Sequence, residues 1–280
     1  FMKKIGFIGA GSMAEALIAG MVENKLLEPQ NIWVTNRSNE ERLNELNAKY
    51  GVSASYDIEN MLKEADAVLL AMKPKDVAQS LTAIKHLLAD NALLISVLAG
   101  VSLESLESLV GKELSIVRAM PNTSATIGKS ATGFAVNKHV SREQTELAEK
   151  ILQTAGIAKL VQEEQLDAVT GLSGSGPAYI YYLYEAMEKS AVELGLEQEM
   201  VKDFIIQTFI GAAEMLASSP KPASQLRKEV TSPGGTTEAG LNTLAAHEVD
   251  KAVMACIKAA TEQSKHLGKV ISEEIKQNLS

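Results

Sequence analysis

Cysteine is almost missing from these 280 residues: Cys256 stands alone, so no internal disulfide can staple the chain. Its setting, AVMACIKAA, is an apolar helical pattern that predicts a buried, inert thiol, and the composition suits a reducing cytoplasm. No unbroken apolar run approaches the roughly 20 residues a membrane-spanning helix needs, so no membrane partner is expected. Nor is there a Lys/Arg cluster. With a net charge of −8 and no basic stripe, nucleic acid is not an expected partner. Phe1 precedes Met2, and Lys3 to Ile8 is too short for a secretory leader and lacks its small-residue cleavage site, so no export signal is expected.

Whole classes of chemistry are missing as well. The histidines at 86, 139, 247 and 266 have no metal-ligand spacing and HExxH does not occur, which argues against a bound metal. Gly128-Lys129-Ser130 lacks the upstream glycine of a phosphate-binding P-loop and lies just before a strand pattern.

What is present reads as about two domains of ordinary globular composition, 46% hydrophobic and 22% charged. Short aliphatic runs alternate with helical patterns in the first half, which predicts βαβ units and a mostly parallel sheet. The candidate strands are Lys4 to Ile8, Asn31 to Thr35, Ala67 to Ala71, Leu93 to Leu98, Ser115 to Arg118, Thr132 to Val136 and Lys159 to Val161. Ser38 with Glu41, and Ser141 with Gln144, have capping-box spacing ahead of helices. After Gln162 the strand signals stop and long helical patterns run to the C-terminus. The chain is therefore divided at 162/163, an α/β domain over residues 1–162 and an all-α domain over 163–280.

In the second part, Ile180, Leu183, Tyr184, Met187, Ala191 and Leu194 fall on one helical stripe, with Gly195 suited to its stop. The next helix, roughly Glu199 to Ala217, carries FIIQTFIGAAEMLA, apolar on nearly every face. A second subunit would supply the missing cover, so a homo-oligomer is predicted.

The most informative motif is IGFIGAGSMA, which puts Gly9-x-Gly11-x-x-Ala14 directly after a strand and at the opening of a helix. Gly9 permits the tight turn, Gly11 lets a pyrophosphate approach the backbone, and small Ala14 lets helix and strand pack closely. That context predicts a Rossmann-type dinucleotide site. At the end of the second strand, where a carboxylate would hold an NAD ribose, the chain reads Thr35-Asn36-Arg37-Ser38. No negative charge repels a 2′-phosphate there, and Arg37 can cover it, so NADPH is expected ahead of NADH. The strand ends Ala71-Met72-Lys73-Pro74, Val97-Leu98-Ala99-Gly100 and Met120-Pro121-Asn122-Thr123 reach the same sheet edge with the small or polar residues a nicotinamide pocket needs.

Two later loops stand out. Leu172-Ser173-Gly174-Ser175-Gly176-Pro177 is expected to open a helix, either as close backbone packing or as an anion site. Val230-Thr231-Ser232-Pro233-Gly234-Gly235-Thr236-Thr237 also leads into a helix, and its free amides and hydroxyls suit a small carboxylate with a neighbouring polar atom.

Together, IGFIGAGSMAEALIAG, AMKP, RAMPNTSATIG, LDAVTGLSGSGPAYIYYLYEAM and above all LRKEVTSPGGTTEAGL resemble the pyrroline-5-carboxylate reductases over nearly the whole chain. The resemblance implies reduction of a cyclic imine carboxylate, L-1-pyrroline-5-carboxylate, to L-proline, and a helical domain that interlocks two subunits. It puts Ile8, Gly9, Ala10, Gly11, Ser12, Met13, Asn36, Arg37, Ala71, Met72, Lys73, Pro74, Val97, Leu98 and Ala99 at cofactor positions. Gly235, Thr236 and Thr237 fall at the substrate, with Thr237 at the ring nitrogen, and Glu163 falls at a more distant substrate position. Two other readings fit the bare sequence: a β-hydroxyacid or other imine reductase, and a non-catalytic NADP-sensing module. The former usually carries a catalytic Lys or acid early in the first long helix, whereas Lys189 lies more than two turns in.

Overall fold

The structure, a computed structural model, describes residues 2–279. Its sheet has eight strands: β1 (Ile5–Ile8), β2 (Ile32–Thr35), β3 (Ser53–Ala54), β4 (Ala67–Leu70), β5 (Leu93–Ser96), β6 (Ser115–Met120), β7 (Ser130–Val136) and β8 (Gly156–Leu160). They lie in the order β3-β2-β1-β4-β5-β6-β7-β8. All neighbours pair in parallel except β6 with β7. Alternation along the strands gives the sheet two buried faces. Ile5, Phe7, Ile32, Val34, Leu69 and Ile95 form one core with α1 (Ser12–Glu23), α2 (Glu40–Tyr50) and α6 (Arg142–Gln153). Ile8, Val68, Leu70, Leu94 and Ile116 form the other, with α3 (Ile58–Leu62), α4 (Val77–Ile84) and α5 (Leu103–Val110). Strands buried on both faces are what a doubly wound α/β layer demands.

The expected strands are present within a few residues, and β3 is an addition. Two residues long and at the sheet edge, it carries too little periodicity to register in the sequence. The box at Ser141 and Gln144 caps α6 (Arg142–Gln153) as expected. The box at Ser38 does not form. The Asn36 side chain instead folds onto Asn39, accepting from its amide at 2.9 Å and donating to its carbonyl at 2.7 Å, so Asn39 becomes the cap and α2 starts at Glu40.

Helices follow from residue 166: α7 (Leu166–Val169), a π turn at Thr170–Gly174, α8 (Gly176–Glu193), α9 (Gln198–Ser218), α10 (Ala223–Glu229), α11 (Thr236–Ala246) and α12 (Val249–Leu279). Backbone contacts divide the chain at Ser175 rather than Gln162, because the sheet unit keeps the residues up to Ser175 and regains those from Ala259 on. Packing explains the difference: Leu166 and Ile275 are buried in the second face's core, and Ser264 donates to Asp167 at 2.7 Å. The second unit is Gly176–Lys258. No helix among the described residues is long and apolar enough to cross a membrane.

The second unit buries little. Its fully covered apolar residues are Val201 and Ile205, while Tyr182 is 74% and Leu194 82% exposed. Cys256 is also exposed, contrary to the buried thiol expected. The apolar pattern around it is real, but within one chain nothing covers that face.

Gly20 illustrates how closely α1 sits under the sheet unit's other helices. A Cβ there would lie 2.3 Å from the Thr154 carbonyl oxygen. Helix propensity alone would make Gly20→Ala stabilising by about 1 kcal/mol, but the clash with backbone costs about 1–3 kcal/mol and decides the sign. The variant is expected to have a lower urea midpoint at matched protein concentration. An unchanged or raised midpoint would show that the two helices can separate freely.

Candidate active site

The carboxyl ends of β1, β2, β4 and β5 stand level. Registers pair Ile8 with Thr35 and Leu70, and Leu70 with Ser96. One step beyond, Gly9 donates to the Thr35 carbonyl at 2.9 Å, Ala71 to Ile8 at 2.9 Å and Val97 to Leu70 at 3.2 Å. Ile8 to Met13, Asn36, Arg37, Ala71 to Pro74 and Val97 to Ala99 are thereby brought to one edge, where open α/β sheets take ligands.

Gly9 has φ +113°, and a Cβ on it would sit 2.5 Å from Ala71 backbone. Only glycine fits this turn. Gly11 is the opposite case: a Cβ there would meet nothing within 4 Å, and no side chain caps the helix start it occupies. Ala14 is fully buried beneath. An open, uncapped helix N-terminus reached through a tight glycine turn fits a pyrophosphate. At the same edge, the hydroxyl of Thr35, 3% exposed, has no hydrogen-bond partner, as expected of a group that completes its bonding with a ligand. The residues present therefore fit a dinucleotide.

Individual side chains divide by what is free. Arg37 is exposed and carries no hydrogen bond or ion pair among the described residues, so its guanidinium is available to an anion. Asn36 is committed to the loop, its oxygen accepting from both the Asn39 amide and the Tyr56 hydroxyl, the latter at 3.1 Å. Tyr56 is half-exposed beside this loop and is not signalled by any motif. Lys73 is exposed ahead of the short turn Pro74–Asp76. Leu98 is 3% exposed and packs in the core, leaving backbone as its means of contact.

Glu163 holds structure together: one carboxylate oxygen accepts from Arg118 at 2.9 Å and from the Leu103 amide at 2.8 Å. Arg118 pairs in register with Ser96, so Glu163 belongs to the same sheet edge. Asn122 similarly caps a short turn and donates to the Ser173 carbonyl at 3.0 Å. The segment around Ser173 leads into α8 at Gly176 as expected, but as a π turn rather than a loop. Ser175 donates to Thr170 at 2.8 Å, an i to i−5 bond, so the run closes as a π turn and Gly174 lies against Met120.

In the helical unit, Gly234 (φ +72°) turns the chain and Gly235 occupies the N-cap of α11 without a capping side chain. Glu238 reaches back to accept from the Gly234 amide at 2.8 Å, fixing the loop. Thr236 and Thr237 are exposed, their hydroxyls are unpaired among the described residues, and their amides belong to the helix's unsatisfied first turn. Gly235, Thr236 and Thr237 thus stand together at the exposed N-terminus of α11.

A further cluster braces the glycine turn. Glu15 on α1 accepts from Arg42, from Lys49 at 2.9 Å and from Tyr50 at 2.8 Å, all three on α2. Arg42, then Lys49, hold the Glu15 carboxyl well below its ordinary value, at about 2. A carboxylate depressed in the folded state stabilises fully above its unfolded value near 4.5 and loses that contribution as the pH falls towards 2. Glu15→Gln is therefore expected to lower the melting temperature at pH 6 and to leave it nearly unchanged at pH 2. A constant difference across that range would show that the charge is not what matters.

Known proteins resemble this chain in sequence and fold. Residues 163–267 match the family model described as pyrroline-5-carboxylate reductase dimerisation, and residues 4–100 match one described as NADP oxidoreductase coenzyme F420-dependent. Pyrroline-5-carboxylate reductase 2 of Bacillus subtilis is 48% identical over 94% of each chain. A solved pyrroline-5-carboxylate reductase from Coxiella burnetii superposes with a TM-score of 0.91 at 37% identity, covering 95% of this chain and 99% of that one. The Plasmodium falciparum pyrroline carboxylate reductase, solved with NADP bound, gives 0.84 at 32% identity, covering 95% and 98%. With its glycine turn, its level strand ends and its PGGTT loop, the chain belongs to the pyrroline-5-carboxylate reductase family.

Proposed function

We propose that this enzyme reduces L-1-pyrroline-5-carboxylate to L-proline, with NADPH as the preferred reductant and NADH as a second one. Family membership over the whole chain carries the reaction, and the uncommitted groups at the two sites support it. By function we assign dinucleotide binding to residues 1–162 and binding of substrate and a second copy to 163–280, a division that differs from the one drawn by backbone contacts at Ser175. The exposed apolar faces of α8 and α9 are the surfaces such a copy would cover, burying what one chain leaves in water.

When bound, the cofactor supplies a hydride to the imine carbon. The protein's part is orientation. The first-turn amides of α11 and Gly235 hold the substrate carboxylate, and the Thr237 hydroxyl hydrogen-bonds the ring nitrogen. Threonine has no ionisation near neutral pH, so Thr237 positions and polarises rather than acting as a strong acid. Glu163 is committed to Arg118 and the Leu103 amide, so at the more distant substrate position that the resemblance implies it would act through those partners.

Cofactor choice falls to Arg37. Arg37→Ala is expected to weaken NADPH by about 1–3 kcal/mol while leaving NADH nearly unchanged, because only the former has a 2′-phosphate to lose its partner. Steady-state titration with both cofactors checks this, and equal losses would remove Arg37 from the 2′-phosphate.

Thr237→Ala is expected to cut turnover of pyrroline-5-carboxylate by roughly tenfold to a hundredfold without a comparable loss of NADPH affinity, the cost of one positioned hydrogen bond in a desolvated site. Thr237→Ser should retain most activity. Thr236→Ala, which keeps the amide, serves as the internal comparison. Full kcat/KM in Thr237→Ala with loss in Thr236→Ala would reverse the two assignments, and no loss in either would move the substrate elsewhere.

A further inference from the structure

We propose that Arg42, braced by Glu15, is a positioning residue that aims the Gly11 amide at the dinucleotide's pyrophosphate; this rests on the cofactor reading above. All three guanidinium nitrogens are committed. Nε donates to the Ala10 carbonyl at 2.9 Å, Nη2 to Glu15, and Nη1 to Glu45 at 2.8 Å. Arg42 is therefore not an anion ligand itself, and its charge is balanced by two carboxylates.

The consequence lies in the peptide plane. The Ala10 carbonyl and the Gly11 N–H belong to one planar trans peptide, so they point in opposite directions. Anchoring the carbonyl on Arg42 turns the N–H to the other side of the loop. Polarisation by a cationic donor also strengthens that N–H as a donor to a phosphate oxygen.

The anchor is itself held. Glu15 is fixed by Lys49 and Tyr50 besides Arg42, so the carboxylate has little freedom to let the guanidinium swing. From the other side, Asn39 caps the Arg42 amide at 2.9 Å and is held by Asn36. The same helix start thus ties the glycine turn to the loop that presents Arg37. Pyrophosphate is common to both nicotinamide dinucleotides, whereas the 2′-phosphate is not. Arg42 is expected to matter equally for NADPH and NADH, which distinguishes it from Arg37.

Arg42→Lys provides the test, because a single ammonium keeps the charge near Glu15 but cannot hold the fork that spans Glu15 and the Ala10 carbonyl. Binding of NADPH and of NADH, each followed by fluorescence titration, should weaken by the same factor of about ten, one hydrogen bond's worth. KM for pyrroline-5-carboxylate and kcat at saturating cofactor should stay within about twofold. Glu45→Gln, which removes only the exposed pair, should bind both cofactors as the unaltered enzyme does. Unchanged affinity in Arg42→Lys would overturn the proposal. So would a loss confined to NADPH, which would make Arg42 a 2′-phosphate reader, and so would a fall in kcat with a depressed melting temperature, which would make it a support of the fold. If the unaltered enzyme bound neither cofactor, the cofactor reading would fall and this inference with it.

Discussion

Everything at the sheet edge depends on the close approach of Gly9 to the Ala71 backbone. The chain leaves β1 with φ +113° and passes so near the end of β4 that any Cβ would collide with a carbonyl. That approach keeps β1 and β4 level, and the hydrogen bonds from Gly9, Ala71 and Val97 carry the same level from β2 to β5. Turn, uncapped helix start and the neighbouring strand ends then face a ligand together. A wider turn would lift the Gly11 amide off that edge, whatever the rest of the domain did.

The helical unit is governed by a different constraint, shortage of cover. Two buried apolar residues, Val201 and Ile205, cannot offset the ordering of more than eighty residues. Its exposed Tyr182, Phe204 and Leu194 would cost solvation in a lone chain. The PGGTT turn belongs to this unit and is itself exposed, Thr236 and Thr237 included.

Much of this was legible in the sequence because it follows short-range rules. Alternation marked seven of eight strands, and spacing marked the Ser141 cap and the Gly9 turn. What escaped did so for identifiable reasons. The Ser38 cap lost to Asn39 because Asn36 offers both an acceptor and a donor to the same residue. The Ser173 segment read as a loop because small residues serve a π turn packed against Met120 equally well. Residues 163–175 and 259 onward read as part of the helical domain because a helix pattern does not reveal which core receives its apolar stripe. Cys256 read as buried because an apolar helix face says that something covers it, not whether that cover comes from the same chain.

The Glu15 cluster escaped for a more general reason: no spacing rule links a carboxylate on α1 with three donors on α2. Its arrangement nonetheless explains the division of charge at the cofactor edge. Arg42 sits within the loop region but is neutralised by Glu15 and Glu45, whereas Arg37, a few residues earlier, has no partner among the described residues. An unbalanced second guanidinium would attract any phosphate to the glycine turn and blur the distinction between dinucleotides. Balanced, Arg42 holds the Ala10 carbonyl, while Arg37 leaves its charge free at the end of β2. On the cofactor reading proposed above, affinity for the shared pyrophosphate and selectivity for the 2′-phosphate would be set by separate residues, so that one could change without the other.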